Sequence, residues 1–94
     1  MAYSVFYTSA SKKDLKKLPR EIIKAIIKNY FSVLSENPYT GESLSGQFKD
    51  YRKYSFSQKG TEYRIIYKIF KELKILIILI GSRENLYKKL KKRV

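Results

Sequence analysis

Residues 75–90 read ILIILIGSRENLYKKL and contain the longest apolar run in the chain. Six apolar residues stand in a row before Gly81 and Ser82 end the run. A strand that is apolar on both faces is typical of the centre of a sheet that is covered on both sides. Residues 73–80 are therefore predicted to form a central strand.

Two further strands are predicted before the central one. Residues 51–56 (YRKYSF) and 61–70 (TEYRIIYKIF) are rich in aromatic and β-branched side chains, and a short turn around Lys59-Gly60 separates them. This pattern predicts a β-hairpin. The preceding residues 38–49 are rich in Pro, Gly and Ser and are predicted to form a loop.

The N-terminal part of the chain predicts one strand and two helices. Residues 3–7 alternate as a strand does, and a short helix anchored by Leu15 and Leu18 follows. Residues 20–36 repeat apolar positions with a period of about 3.6 residues, which indicates an amphipathic helix. The order β-α-α-β-β-β-α predicts a single α+β domain over residues 1–94, with a twisted antiparallel sheet packed on the two N-terminal helices.

The net charge is the most unusual feature of the composition. Lys and Arg number 21 and Asp and Glu number 8, which gives a formal net charge of +13 on 94 residues. Such an excess of one sign opposes compaction and suits a polyanionic partner, with nucleic acid ahead of an acidic protein and of an anionic membrane. Neither cysteine nor histidine is present, so thiol chemistry, the commonest metal ligand and the commonest general base are excluded.

Targeting signals and cofactor motifs are not recognised in the sequence. The N-terminus lacks the basic-then-apolar order of a signal peptide, and the longest apolar run is far shorter than the ~20 residues that cross a bilayer. We therefore expect a cytoplasmic protein with no membrane partner, no metal and no cofactor.

The hairpin contains the first candidate residue for a functional site. Tyr63 and Ile65 alternate onto one face of residues 61–70, which leaves Arg64 on the opposite face. A planar guanidinium matches a phosphate with two parallel hydrogen bonds, so a partly desolvated strand arginine is a candidate phosphate ligand. A salt bridge to Glu62 or Glu84 explains the same residue equally well.

The tail of the chain is predicted to be an amphipathic helix. Leu86, Leu90 and Val94 would form the stripe that docks this helix. If Ser82 caps it, Arg83, Tyr87 and Lys91 form a second stripe that faces outward at the end of the central strand. An ordinary solvated helix face is the alternative interpretation of that second stripe.

Two weaker candidates lie in the hairpin and in the loop before it. Tyr54 and Phe56 are expected to point to the core, which leaves Lys53 on the opposite face, either beside a phosphate site or simply solvated. Glu42 is a carboxylate in the loop, and its chemistry alone does not distinguish it from a solvent-facing residue.

The order of four short motifs resembles the RelE/ParE toxin superfamily, small basic proteins of bacterial and archaeal toxin–antitoxin pairs. The motifs are SKKDLKKLP after the first strand, ESLSGQFKDYRKYSF, GTEYRIIYKI and LIGSRENLYKKL, which together cover nearly the whole chain. The resemblance implies a twisted antiparallel sheet with two helices on one side and a basic surface on the other. In the RelE branch that surface cuts messenger RNA, typically in the ribosomal decoding site and without metal.

The resemblance also implies catalytic roles for individual residues. Arg64 and Arg83 fall on arginines that stabilise the charge on the scissile phosphate, and Tyr87 falls on a tyrosine that protonates the leaving oxygen or stacks on a base. Lys53 falls on a basic position of the hairpin, and Glu42 falls on the general-base glutamate of YoeB-like members. The other residues expected to bind RNA are Arg52 and Lys91.

Two positions depart from the pattern of the family. Ser82 stands where some relatives have histidine, so a histidine base is not available. Ser55 stands at the second basic position of the hairpin strand, which makes the cationic cluster smaller than in the best-known nucleases.

Two alternatives to a nuclease remain open. One is a ParE-like toxin that binds DNA gyrase and leaves messenger RNA whole, although that branch generally lacks the closing Arg/Tyr pair. The other is a plain RNA-binding module, in which the nine tyrosines offer surfaces for base stacking. The predicted partners are messenger RNA on the ribosome and a cognate acidic antitoxin that wraps the toxin in a salt-sensitive complex.

Overall fold

The computed structural model describes residues 2–84 and 86–93, which form one five-stranded sheet with helices on both faces. The strands are β1 (Ser4–Tyr7), β2 (Glu42–Ser43), β3 (Tyr51–Gln58), β4 (Thr61–Phe70) and β5 (Lys74–Ser82). The helices are α1 (Ser9–Lys16), α2 (Arg20–Ala25), α3 (Phe31–Glu36) and α4 (Leu86–Arg93), and a π-helical turn at Ile26–Tyr30 joins α2 to α3. The predicted α+β fold is confirmed, and the predicted loop contributes the additional short strand β2.

The strand order is β1-β5-β4-β3-β2, so β5 lies inside the sheet as predicted. Strands β2 to β5 pair antiparallel. The N-terminal strand differs from the expected antiparallel arrangement because β1 lies parallel to β5, in a register from Ser4↔Lys74 to Tyr7↔Ile77. A parallel pair needs a long crossover connection, which the helices and the β2–β4 segment provide.

The sheet separates two apolar layers, which define its two faces. The N-terminal helix face packs on α1, α2 and α3, and the α4 face packs on α4. The buried residues of the N-terminal helix face are Ile22, Ile26, Leu34, Phe56, Tyr63, Ile65, Tyr67, Ile75, Ile77 and Ile80. Those of the α4 face are Leu44, Phe48, Ile66, Ile78, Leu79, Leu86 and Leu90.

A bulge in β5 lets one apolar run serve both faces. Ile66 pairs with Leu79 and Tyr67 pairs with Ile77, so Ile78 is the extra residue. Ile77 therefore packs toward the N-terminal helices, whereas Ile78 and Leu79 both pack beneath α4. After a bulge, the side chains of a strand that pointed to one face of the sheet point to the other. A run that is apolar at every position tolerates this change because both faces are buried.

The end of β5 corrects one prediction about the tail. Strand β4 pairs with β5 as far as Tyr63↔Ser82, and α4 begins only at Leu86. Ser82 is therefore the last residue of the strand and not the cap of the helix, and Arg83 lies in the connection instead of on a helical stripe with Tyr87. Leu86 and Leu90 form the buried stripe as predicted, and Val94 lies outside the described residues.

The Asp14–Arg93 ion pair bonds to the backbone of β5 beyond the last residue that pairs with β1. Asp14 of α1 accepts a hydrogen bond from the Ile80 N–H at 3.2 Å, and Arg93 of α4 donates one to the Ile78 carbonyl at 3.1 Å. Arg93 also donates to both carboxylate oxygens of Asp14, at 2.8 Å in one case. These bonds raise the pKa of Arg93 above its usual value. The pair thus links α1 and α4 to β5 where no strand covers it.

Candidate functional site

Arg64 lies on the α4 face between the smallest neighbours that the sheet offers. Its register partners are Ser55 on β3 and Gly81 on β5. A methyl group built onto Gly81 would meet no atom within 4 Å. The two flanking positions therefore leave open space beside the arginine, whereas larger side chains there would fill it.

The guanidinium of Arg64 is only partly used by the protein. Its Nη2 donates to Glu62 at 3.0 Å, which is the salt bridge that the sequence offered as the alternative interpretation. The Arg64 side chain is 20% exposed and that of Glu62 is 34% exposed. Among residues 2–84 and 86–93, the buried Nε of Arg64 finds no hydrogen-bond partner. The Nε itself is out of contact with solvent, so a ligand can meet Arg64 only at the exposed part of its side chain.

Glu42 and Lys53 meet on the same face, one strand further out. They are register partners on β2 and β3, and their charged groups are 3.8 Å apart. The Lys53 side chain is 20% exposed, whereas that of Glu42 is 79% exposed. Because Lys53 pairs across β3 and β4 with Ile66, it is a diagonal neighbour of Arg64. A cavity of about 170 Å³ adjoins the pair and is lined by Thr40, Gly41, Glu42, Lys53, Tyr54 and Ser55.

A buried tyrosine holds the segment that carries Glu42. The hydroxyl of Tyr67 accepts a hydrogen bond from the Gly41 N–H at 3.1 Å and donates one to the Pro38 carbonyl. Burial raises the pKa of this phenol, although the Gly41 hydrogen bond and nearby Arg52 act in the opposite direction. A neutral Tyr67 can donate and accept at once, and it fixes both ends of the turn before β2.

Position 41 requires a glycine because Tyr67 and the backbone of Lys53 approach it closely. A methyl group at this position would collide with the Tyr67 hydroxyl and would lie 2.7 Å from the Lys53 carbonyl oxygen. The contact with Lys53 is to backbone, which cannot rotate out of the way. The glycine therefore lets β2 lie against β3 and sets the position of the neighbouring Glu42.

Arg52 on β3 is the register partner of Tyr67 and supports the same turn. Its guanidinium donates to the Gly41 carbonyl at 2.7 Å, to the Ser43 hydroxyl at 2.8 Å and to the Tyr39 carbonyl at 3.1 Å. It also lies 5.3 Å from the centre of the Tyr39 ring. Strand alternation directs Arg52 away from the face of Lys53, and its binding of RNA stays a prediction.

Arg83, Tyr87 and Lys91 lie at the end of the sheet and on α4. Arg83 is exposed in the connection between β5 and α4, two residues after Gly81. Within the described residues Arg83 forms no ion pair. Tyr87 is 48% exposed and packs on Phe48 with ring centres 6.3 Å apart, while Lys91 is exposed one turn further along α4.

The structure thus groups the predicted site residues unequally. It places Glu42, Lys53 and Arg64 on one face of three consecutive strands, and it places Tyr87 and Lys91 on the helix that covers that face. Sequence reasoning missed four residues that hold structural elements in place. Gly41 and Tyr67 fix the turn before β2, and Asp14 and Arg93 link α1 and α4 to β5. Arg93 carried a signal as the only arginine in a lysine-rich tail, and the others carried none.

Within residues 2–84 and 86–93, no group of three or more Asp or Glu side chains is placed to hold a metal ion. No helix in the same part of the chain is long and apolar enough to cross a bilayer.

Comparisons with known proteins identify the family of this fold. Residues 5–91 match the model of the ParE-like toxins of type II bacterial toxin–antitoxin systems. The chain is 31% identical over 91 residues to toxin RelG of Mycobacterium tuberculosis, covering 95% of this chain and all of RelG. It also resembles a chain in the crystal structure of the RelBE2 toxin–antitoxin complex of M. tuberculosis, with a TM-score of 0.75, 29% identity, and coverage of 88% of this chain and 100% of that one.

A third comparison concerns the fold alone. The free form of an E. coli RelE toxin mutant superposes with a TM-score of 0.77 at 23% identity, over 100% of this chain and 99% of that one. The family match spans almost the whole chain and agrees with the RelE-like architecture and with the order of the sequence motifs. The protein is therefore a RelE-like member of the RelE/ParE superfamily and a toxin of a type II toxin–antitoxin system.

Proposed function

We propose that this toxin is a metal-independent endoribonuclease that cleaves messenger RNA on the ribosome. The observation that carries the proposal is the position of Arg64, which is partly exposed, lies between two small residues and is diagonal to Lys53. A scissile phosphate placed over Ser55 and Gly81 lies within reach of both cations. The net charge of +13 supplies the long-range attraction for RNA.

The chemistry that suits these groups is attack by the RNA on itself. The 2′-hydroxyl gives its proton to a base and its oxygen bonds to the adjacent phosphorus, while the bond from phosphorus to the 5′-oxygen breaks and that oxygen takes up a proton. The products are a 2′,3′-cyclic phosphate and a 5′-hydroxyl. Charge grows on the non-bridging oxygens during the reaction, and guanidinium groups directed at those oxygens lower the barrier.

The site residues divide the work of this scheme among binding, charge stabilisation and proton transfer. Arg64 and Arg83 stabilise the phosphorane charge, and Lys53 binds the phosphate from the β3 side. Glu42, whose carboxylate is exposed beside the cavity, is the general base. Tyr87 protonates the leaving oxygen or stacks on a base, and Lys91 extends the basic path along α4.

Inhibition of DNA gyrase is the second candidate function. The matching family is described by its ParE-like members, and this keeps the gyrase interpretation open. The two functions differ in their cellular products: a nuclease leaves cut messages and an intact chromosome, whereas a gyrase toxin damages DNA and leaves messages whole.

We also propose a cognate acidic antitoxin as the partner. The related M. tuberculosis protein was crystallised as a toxin–antitoxin complex. A charge of +13 favours an acidic polypeptide and makes the affinity fall as salt rises.

The decisive experiment measures cleavage of messenger RNA bound to ribosomes. We expect Arg64→Ala and Arg83→Ala each to lower the cleavage rate by about two to three orders of magnitude, which is the usual contribution of one transition-state contact. Arg20→Ala is the matched control, because Arg20 is exposed at the start of α2, away from the α4 face.

The stability of the same variants separates chemistry from folding. The Arg64–Glu62 pair is partly exposed and contributes roughly 0–1 kcal/mol, so the melting temperature should change little. Wild-type cleavage rates in both the Arg64 and the Arg83 variants would refute the proposed nuclease site.

A further inference from the structure

Helix α4 covers only part of the α4 face, and exposed aromatic side chains lie on the rest of it. One row of register partners crosses four neighbouring strands on this face and consists of Tyr51, Lys68, Leu76 and Phe6. The next row contains Phe70. Phe6 is 50% exposed and Phe70 is 42% exposed. Phe6, Tyr51, Lys68, Phe70 and Leu76 are called the aromatic platform below, and exposed apolar surface of this kind is typical of an interaction site.

The ammonium group of Lys68 lies between two rings of the aromatic platform. It is 5.8 Å from the centre of the Tyr51 ring and 5.2 Å from that of Phe70. Within residues 2–84 and 86–93, Lys68 forms no ion pair with a carboxylate. Cation–π contacts position an ammonium group without neutralising its charge. A positioned cation among aromatic rings is the combination by which proteins bind single-stranded nucleic acids.

The aromatic platform continues the face of the sheet that carries Arg64. Arg64, Lys68 and Phe70 are separated by even numbers of residues on β4, so alternation directs all three to the same face. At about 3.3 Å per residue, Phe70 lies roughly 20 Å along the strand from Arg64. A few nucleotides of extended RNA span that length. An RNA strand whose phosphate meets Arg64 therefore reaches the aromatic platform with its neighbouring nucleotides.

The charge around the aromatic platform favours a polyanion. A cavity of about 520 Å³ beside Phe70 is lined by Lys68, Ile69, Phe70, Lys71, Glu72 and Lys74. Lysines outnumber acidic residues in this lining by three to one. A second copy of the chain would bring like charges together. An acidic protein would share the attraction, but the rings and the continuity with Arg64 favour the nucleic acid.

We propose that the aromatic platform is a second binding surface for the RNA substrate, on which Phe6 and Phe70 stack unpaired bases and Lys68 binds a phosphate. The inference rests on the proposed nuclease function and adds to it the binding of nucleotides that flank the cleaved bond. Because the bases of a duplex are already stacked on one another, the platform selects single-stranded RNA. Every base has a flat face, so this binding tolerates any sequence.

The first test removes one ring at a time. The probe is a short, fluorescein-labelled single-stranded RNA that is 2′-O-methylated and so cannot be cleaved, and binding is measured by fluorescence anisotropy. Phe6→Leu and Phe70→Leu should each weaken binding about tenfold, since leucine is apolar but offers no ring for stacking. Phe70→Tyr keeps the ring and should bind as wild type does. Tyr7→Leu is the matched control, because Tyr7 follows Phe6 on β1 and is equally exposed at 50%, but lies against the N-terminal helices.

The second test removes the charge on the aromatic platform. Lys68→Gln should lower the slope of log affinity against log salt concentration by about 0.7, the value for one phosphate contact on a single strand. Lys24→Gln removes the same charge from an exposed position on α2 and should leave the slope nearly unchanged. A duplex of the same length serves as the second probe, and Phe70→Leu should bind this duplex as tightly as wild type does.

The outcomes separate the aromatic platform from the nuclease. If both leucine variants bind the single strand as wild type does, the platform inference is wrong, and cleavage of ribosome-bound RNA by wild type would leave the nuclease proposal standing. If the leucine variants lose single-strand binding but wild type cuts no RNA, the nuclease proposal fails and the platform is still an RNA-binding surface.

Two further measurements locate the effect of the rings. On ribosomes, Phe70→Leu should raise KM for RNA cleavage and leave kcat unchanged, because Phe70 does not touch the reacting atoms. A loss of kcat with unchanged KM would contradict a role in binding flanking nucleotides. If Phe6→Leu spares RNA binding but weakens the complex with the purified antitoxin, the surface belongs to a protein partner and the inference is overturned.

Discussion

Tyr67→Phe removes one oxygen atom from the centre of the protein and should destabilise it strongly. The ring of Tyr67 is fully buried, and phenylalanine keeps its packing. The hydroxyl, however, is the partner of the Gly41 N–H and of the Pro38 carbonyl, which are buried as well. Each group that loses its partner costs about 1–3 kcal/mol, so we expect a loss of about 2–6 kcal/mol in the free energy of unfolding.

The assay is urea denaturation at neutral pH, supported by a thermal melt. For a domain of this size each 1 kcal/mol shifts the melting temperature by about 4–8 °C, so the shift should be about 8 °C or more. Tyr63→Phe is the matched control: Tyr63 lies on the same strand and face and is only 8% exposed, yet its hydroxyl forms no hydrogen bond within the described residues. Its expected change is below about 0.5 kcal/mol.

A functional readout follows from the same substitution. The turn that Tyr67 holds leads directly into β2 and Glu42, so its loosening should slow RNA cleavage at temperatures where the variant is still folded. Equal stability of Tyr67→Phe and wild type, within about 0.5 kcal/mol, would show that the hydroxyl does not hold this turn.

Three further predictions concern the same supports. Because burial raises the pKa of Tyr67, folding favours the protonated phenol. The resulting stabilisation is complete below about pH 10, the pKa of a free tyrosine, and is lost as the pH rises toward the pKa of the folded state. Between pH 9 and pH 11 the free energy of unfolding, measured in urea melts, should therefore fall more in wild type than in Tyr67→Phe. Gly41→Ala should lower stability by about 1–3 kcal/mol in the same melts because the new methyl meets backbone, whereas Gly81→Ala, with open space around it, should be nearly neutral. Asp14→Asn should weaken the pairing that anchors α4 and increase amide exchange in that helix, measured by mass spectrometry, while Asp50→Asn at an exposed site should not.

The main elements were predictable because their patterns are local. The 3.6-residue period of residues 20–36 marked the long helix, and the two-residue period of the hairpin placed Lys53 and Arg64 on the same face. The π turn at Ile26–Tyr30 could not be predicted, since the pattern of apolar residues is nearly the same with or without one extra residue per turn. The bulge at Ile78 could not be predicted either, because an uninterrupted apolar run has no alternation of polar and apolar residues that a bulge would disturb.

The supports of the site depend on long-range contacts and so escaped sequence reasoning. Arg52 was predicted to bind RNA, whereas its three hydrogen bonds to the segment before β3 were not predicted. Asp14 and Arg93 are separated by most of the chain and meet only because β5 extends past the end of β1. β5 extends through Ser82 because β4 is long enough to pair with it as far as Tyr63, and α4 therefore begins later than predicted. The sequence analysis did not predict this pairing between β4 and the start of the tail.

Mapping the 5′ ends of cellular messages after brief induction tests the nuclease proposal most directly. Wild type and Arg20→Ala should produce new 5′-hydroxyl ends inside coding regions, with the chromosome intact, and Arg64→Ala should produce none. Whole messages beside broken chromosomal DNA, or equal cutting by Arg64→Ala, would contradict the assignment of RNA cleavage to the guanidinium on β4.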